Sequence, residues 1–142
     1  MVVLDTDHLS VLEWEDSATA RRLLTRLSQI SPDEAATTII NFEEQMRGWL
    51  AYLARARTLA QQVEAYRRLK RQLDNYRTIP VLEFDARAAA EFQRLRKSLR
   101  GSGTMDLKIA AIVIANDATI LSRNLMDFRK IPGLKVEDWT AQ

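Results

Sequence analysis

Asp5, Glu44, Asp106 and Asp127 come from distant parts of the chain, yet each stands at the seam between an apolar run and what flanks it. Asp5 closes the run VVL, Glu44 follows the β-branched run ATTII, Asp106 heads the apolar stretch LKIAAIVIA, and Asp127 lies in SRNLMDF, behind ATIL. If the strands among these runs are parallel members of one sheet, the carboxyl groups emerge at a single edge. Gathering carboxylates is unfavourable, because like charges raise one another's pKa and oppose ionisation unless a cation neutralises them. A hard divalent cation is the usual resolution. Mg²⁺ binds through one or two carboxylates, keeps several waters and takes its other ligands from phosphate oxygens. A chain with one His, His8, and no Cys offers oxygen ligands for such an ion and lacks the set that zinc prefers. The matching chemistry is that of a hard cation whose remaining ligands are phosphate oxygens.

Each carboxylate also has a plain structural use. Asp5 and Asp7 can cap a helix beginning near His8, Glu44 stands three residues after Asn41 as in a capping box, and Asp106 near Thr104 complements a helix dipole. Asp127 reads equally as a solvated turn residue. The metal reading therefore rests on joint placement, which the elements must supply.

Those elements alternate. VVL is a short strand; helical patterns follow in LSVLEWE and in SATARRLLTRLSQI, where Ser17 can act as the cap, and SPDE supplies a turn before the second strand, ATTII. Asn41 can cap the next helix, FEEQMRGWLAYLAR, and Leu59, Val63, Tyr66, Leu69, Leu73 and Tyr76 then recur at helical spacing. Pro80 leads into a third strand, VLEF, after which Asp85 caps a helix running to the stop signal GSG. TMDLKIAAIVIAND is a helix packed inside the domain, ATILS a buried strand and LKVEDW an edge strand. The pattern is that of an α/β domain, a mostly parallel sheet flanked by helices, in which ligands bind outside the carboxyl ends of the strands.

With 142 residues the chain fits one domain, 1–142. Hydrophobic residues at 46% and charged residues at 28%, with 4 Gly and 3 Pro, exclude a disordered or collagen-like chain. The absence of Cys excludes disulfide frameworks and a Cys nucleophile, and nothing resembles a signal peptide or membrane span, so a cytoplasmic protein without a membrane partner is expected. A net charge of +2 conceals segregation: Arg55, Arg57, Arg67, Arg68, Lys70, Arg71 and Arg77 cluster around one helix, and RLRKSLR adds a second basic stretch. Such runs are solvated helix faces or tracks for an anionic polymer.

The motifs resemble those of the PIN domain family, and within it the VapC-type toxins. VVLDTDHLS is similar to the family's opening strand with Asp then Thr, and TTIINFEEQMRG to its second motif, with a Glu four residues before Gly48. MDLKIAAIVIAND resembles the third motif and ILSRNLMDFRKIPGLKVEDW the closing segment. The resemblance implies a PIN-like fold with Asp5 and Asp106 as metal ligands, Glu44 and Asp127 completing the acidic quartet, and Thr6, Ser122 and Asn124 as supporting polar groups. It further implies an Mg²⁺-dependent endoribonuclease, with Mn²⁺ as a substitute, that forms a homodimer and is held by a cognate antitoxin. Asp7 stands where the family usually has Asn; Glu43 beside Glu44 leaves the second acidic position open by one residue, with the distance to Gly48 favouring Glu44; Asn124 and Asp127 both remain candidates for the last.

Under that reading Arg47, Arg67, Arg68, Arg71, Arg96 and Lys97 would track RNA phosphates, and Trp14, Trp49, Tyr52 or Tyr66 would stack on bases, although aromatic spacing of this kind more often marks core or dimer surface. Part of the apolar surface carried by Trp49, Leu50, Tyr52, Leu53 and the Leu59–Leu73 stripe should stay outside so small a core and mark an interface. Two alternatives compete. The LDTD stretch looks like the phosphate-transfer motif of haloacid dehalogenase-type phosphatases, but His8 stands where that motif needs Gly and no late Asp pair follows. A non-catalytic PIN-like module that only holds RNA or protein would keep the acidic residues as helix caps.

Overall fold

The computed structural model describes residues 1–14 and 16–141, excepting the side chain of Trp14, so the stacking role considered for Trp14 lies outside the described residues. Five short strands form one sheet in the order β3-β2-β1-β4-β5: β1 (Val2–Leu4), β2 (Ala35–Thr38), β3 (Val81–Leu82), β4 (Thr119–Leu121) and β5 (Lys135–Glu137). Every pairing is parallel, so the sheet is wholly parallel where the sequence predicts mostly parallel. β1 is central, with Val2 in register with Ala35 on one side and Thr119 on the other. Its carboxyl end, where Asp5 follows, therefore lies between the ends of β2 and β4.

The two faces of the sheet separate along β1 and β4 with a period of two, as a pleated strand requires. Val3 and Ile120 enter a core with α5 (Ala86–Ser98), α6 (Thr104–Ala115) and α7 (Leu125–Phe128), whereas Leu4 and Leu121 enter a second one with α1 (Thr6–Trp14) and α2 (Ala18–Leu27). α6 is apolar on nearly all sides because it is the centre of the larger core: Leu107, Ile109, Ala110, Ala111, Ile112 and Val113 are all buried. Ser17 caps α2 by accepting from Ala20 N at 3.2 Å, and Asp85 caps α5 by accepting from Ala88 N at 2.9 Å, as the sequence leads one to expect.

The run ATTII behaves differently from its prediction as one strand. β2 ends at Thr38, and Ile39 and Ile40 already belong to α3 (Ile39–Arg55). Thr38, not Asn41, is the cap: its hydroxyl accepts from the backbone N–H groups of Ile40 and Asn41, both at 3.2 Å. Capping overrides the strand preference of two β-branched residues and frees the Asn41 side chain for another use. A long helix, α4 (Leu59–Tyr76), packs on α3 and begins in a capping box made by Thr58 and Gln61. SRNLMDF, read as a loop, contains the single turn α7.

The packing separates two leucine-sized truncations sharply. Ile112→Ala, at a fully buried position, should lower the unfolding free energy by about 2–5 kcal/mol. Leu59→Ala, at a side chain 77% exposed, should leave it within about 0.5 kcal/mol. Urea denaturation of the two variants measures both.

Candidate active site

Asp5 is positioned by backbone pairing and then surrounded by donors. Its N–H continues the ladder to Leu121 O at 3.0 Å. Its Oδ1 accepts from Thr6 N at 2.9 Å and from Asn41 Nδ2 at 2.9 Å, and its Oδ2 accepts from the Ser122 hydroxyl at 2.8 Å. The three donors come from α1, α3 and the end of β4. Burial still prevails over these bonds: desolvation first and the charge of Asp7 second raise the Asp5 pKa above the ordinary carboxylate value.

Asn41 is the site residue that sequence reasoning missed. Fully buried, its Oδ1 accepts from the Thr38 hydroxyl at 2.7 Å, which sets the amide so that Nδ2 reaches both Asp5 Oδ1 and Thr6 Oγ1, the latter at 3.1 Å. Thr6 and Ser122, the supporting polar groups expected from the sequence, are thus both tied to Asp5 directly or through Asn41. Asn124 supports one step away, donating its N–H to Ser122 Oγ at 3.0 Å and its side chain to Asp127 Oδ2 at 3.2 Å.

Asp7 belongs to the scaffold beneath. Its Oδ2 accepts from Arg123 N at 2.9 Å and lies 3.2 Å from the Ser122 hydroxyl, and its Oδ1 lies 2.7 Å from His8 Nδ1. Burial pushes its carboxyl up, but hydrogen bonds from His8, Arg123 and Ser122 outweigh it and hold the pKa below the usual value. His8 is wholly buried, and its Nε2 accepts from Trp139 N at 3.2 Å, so Nδ1 carries the proton donated to Asp7. The lone His thus serves as a strut between α1 and the segment after β5.

Glu44 and Asp106 face Asp5 from α3 and α6. Burial, then the charges of Asp5, Asp106 and Glu43, raise the Glu44 pKa; burial, then the charges of Asp5 and Asp127, raise that of Asp106. Glu43 instead turns to the helix surface and pairs with Arg47 at 2.5 Å. Asp127 stands farther out. It is exposed, lies 4.0 Å from Lys130, and shares with Asp106 a small cleft completed by Gly101, Ser102, Gly103, Lys130 and Ile131. Among the described residues no salt bridge engages Asp5, Glu44 or Asp106, and no three His, Asp or Glu side chains lie close enough to hold a metal ion as they stand. All-oxygen donors that repel one another, with Lys130 the cation on the cleft and paired to Asp127 rather than to Asp5, Glu44 or Asp106, still fit a hard divalent ion that keeps several of its waters.

The basic candidates occupy several helices. Arg47 is on α3; Arg67 and Arg68 pair with Glu64 on α4 at 3.1 and 2.8 Å; Arg71 is exposed on the same helix; Arg96, 5.2 Å from the Phe92 ring centroid, and the exposed Lys97 are on α5. Trp49 and Tyr52 are half-buried and Tyr66 is exposed. Leu50, Leu59, Val63, Tyr66 and Leu73 leave an apolar surface uncovered along α3 and α4. Tyr76, which ends the apolar stripe of α4, donates its hydroxyl to Gln45 Oε1, and burial, then the charges of Glu13, Glu44 and Asp5, push its pKa well above the ordinary value.

A parallel sheet carrying an acidic pocket at its carboxyl edge defines the class, and the family model described as PIN domain matches residues 2–134. The chain belongs to the PIN domain family. It is similar to Ribonuclease VapC2 of Rickettsia felis and to the tRNA(fMet)-specific endonuclease VapC of Salmonella typhimurium, at 32% identity over 65 residues in each case, or 43% of this chain. Those stretches are 48% and 49% of the relatives, so the chain spans about half the length of the curated relatives it matches. Among solved structures it superposes on a chain of VapBC2 from Rickettsia felis bound to a promoter DNA fragment with a TM-score of 0.74 at 22% identity, over 98% of this chain and 99% of that one. FitAcB from Neisseria gonorrhoeae gives 0.73 at 19% identity with both chains fully covered. These likenesses show the fold.

A carboxyl whose folded-state pKa is raised contributes stability that is present below its unfolded pKa and lost as pH rises through the folded one. Asp5, Glu44 and Asp106 act in that sense and Asp7 in the opposite one. In metal-free protein Asp106→Asn should therefore raise the thermal unfolding midpoint at neutral pH. The advantage should vanish as the pH falls below the carboxylate range, which scanning calorimetry across pH will show.

Proposed function

We propose that the protein is a divalent-metal-dependent endoribonuclease, the toxin of a toxin–antitoxin pair. The observation that carries this reading is the electrostatic coupling of three half-buried or buried carboxyls: burial raises the pKa of Asp5, Glu44 and Asp106, the charge of Asp5 adds to the rise at the other two, and among the described residues no salt bridge engages any of them. The ribonuclease names of the two VapC relatives and the family membership support the choice of RNA as substrate.

In this proposal Asp5 and Asp106 are the residues that hold Mg²⁺, or Mn²⁺ in its place. The bound ion supplies Lewis-acid activation of the phosphodiester and of a water. The rest falls to the chain. The donors from Thr6, Asn41 and Ser122 fix the Asp5 carboxylate in one orientation, as outer partners of a metal ligand do. Glu44 accepts a proton from the attacking water or orients it, its raised pKa suiting that task better than an ordinary carboxylate. Asp127 flanks the cleft with Asn124 holding its Oδ2. The Arg and Lys side chains of α3, α4 and α5 counter the field of the acidic pocket, which alone repels a phosphate backbone.

The uncovered apolar surface of α3 and α4 supports protein partners: a second copy of the chain and an antitoxin that blocks the pocket. No helix among the described residues is long and apolar enough to cross a membrane.

Chelation should abolish RNA cleavage and added Mg²⁺ or Mn²⁺ restore it, and Asp5→Asn or Asp106→Asn should reduce it by at least about 100-fold. Asn41→Ala should keep the fold but raise the Mg²⁺ concentration needed for half-maximal cleavage by about 10–100-fold. Full activity of a folded Asp106→Asn protein in excess chelator would refute the metal mechanism. Light scattering should give the mass of a dimer, and a strict monomer at high concentration would exclude the second copy.

A further inference from the structure

Gly48 has no reason within the chain to be glycine. It sits inside α3, where glycine weakens a helix relative to alanine, its φ is not in the left-handed region, and a Cβ built on it meets nothing within 4 Å. The space left open is a groove walled by Ser10 and Glu13 of α1 and by Gln45, Trp49, Tyr52 and Arg55 of α3. Trp49 and Tyr52 meet edge to face, with ring centroids 5.8 Å apart, and the Arg68 guanidinium covers one face of the Trp49 ring, 4.8 Å from its centroid, so that a stacking partner would have to use the opposite face. Gln45 is held from behind: its Oε1 accepts from Gln72 Nε2 at 2.6 Å and from the Tyr76 hydroxyl in a short bond. Its Nε2–H groups are what it has left to offer the groove.

The groove adjoins the acidic pocket. Gln45 follows Glu44 in the chain, and Tyr76, bonded to Gln45, lies within the field of Glu13 on the groove and of Glu44 and Asp5 in the pocket. An apolar helix from a protein partner would meet charged and amide groups here that it could not satisfy. A flat ring with a polar edge meets an aromatic wall, an amide donor, a hydroxyl and a carboxylate, with arginines nearby for the adjoining phosphates. We infer that this groove is a base subsite, taking one unstacked nucleobase of single-stranded RNA beside the point of cleavage, with the base on Trp49, its edge on Gln45, and the missing Cβ of Gly48 making room for the ring. The inference rests on the ribonuclease reading and adds to it the place where a base is recognised.

Binding to the cleavage-disabled Asp106→Asn protein tests it, with fluorescence anisotropy of a labelled single-stranded oligoribonucleotide and of an abasic ribose-phosphate chain of the same length. Trp49→Ala should weaken the oligoribonucleotide about tenfold and leave the abasic chain unchanged, and Trp49→Phe should recover most of the loss. Gly48→Leu removes no contact and favours the helix, so it should raise the melting temperature while weakening the oligoribonucleotide to a similar extent. Equal losses on both chains, or unchanged RNA binding in folded Trp49→Ala and Gly48→Leu proteins, would overturn the subsite, and a change in dimer mass alone would assign the groove to a protein contact. If the unmodified protein neither binds nor cleaves any RNA, the ribonuclease reading fails and the subsite with it.

Discussion

The repulsion among carboxylates at the end of β1 is the constraint on which the rest of the site depends. Asp5 is placed by the sheet: its backbone continues the ladder to Leu121, so the carboxyl cannot retreat from the edge without breaking strand pairing. Burial, and then the charge of Asp7, disfavour its ionised form, and the Asp5 charge in turn adds to the rise that burial gives Glu44 on α3 and Asp106 on α6. Three hydrogen bonds to Asp5 offset part of this, and their geometry explains why neutral donors surround it in place of arginine or lysine. A fixed cationic side chain would neutralise the pocket permanently, whereas neutral donors orient the carboxylate and leave its charge available to a ligand.

Asp5 and Asp7 are two residues apart and shifted in opposite directions. The comparison isolates what a carboxylate needs to be structural. Asp7 accepts from His8 and from the backbone of Arg123, and the His8 ring it holds is anchored on the far side by Trp139 N, so its charge is satisfied along a line running from α1 to the segment after β5. Ser122 lies between the two, with a single hydroxyl proton within reach of both carboxylates, 2.8 Å from Asp5 and 3.2 Å from Asp7. Movement of the β4 end would therefore disturb both at once. The carboxylate at the position where the family usually has Asn thus belongs to the support of the pocket.

The order and type of the elements were legible because the apolar runs change period where the structure changes, and because Ser17 and Asp85 mark helix starts with chemistry that holds locally. Between Glu43 and Glu44 the sequence offers only the distance to Gly48, which favours Glu44; the Glu43–Arg47 pair one turn on depends on side-chain directions that spacing alone leaves open. What could not be read were functions that depend on partners far along the chain. Asn41 looked like a cap because it follows a β-branched run, and only the Thr38 hydroxyl, by taking over that task, turns it to Asp5. Tyr76 fits the apolar period of α4, and nothing in that period tells that its hydroxyl donates to Gln45 of α3.

The arrangement of α3 gathers these observations into one element. Counting along it, Asn41 supports Asp5, Glu44 enters the pocket, Gln45 ties the helix to Gln72 and Tyr76 of α4, and Gly48, Trp49 and Tyr52 shape the adjoining groove. Residues three, four and seven apart share a helix face, so the Asn41 bond to Asp5, the Glu44 charge and the groove are locked in a single register. That register is set at one end by the Thr38 cap at the strand edge and along its side by the Gln45 bridge to α4. A rotation of α3 large enough to move Glu44 would also break the Asn41 bond to Asp5 and the Gln45 bond to Gln72, so these two bonds hold the α3 carboxylate in place against the repulsion of Asp5.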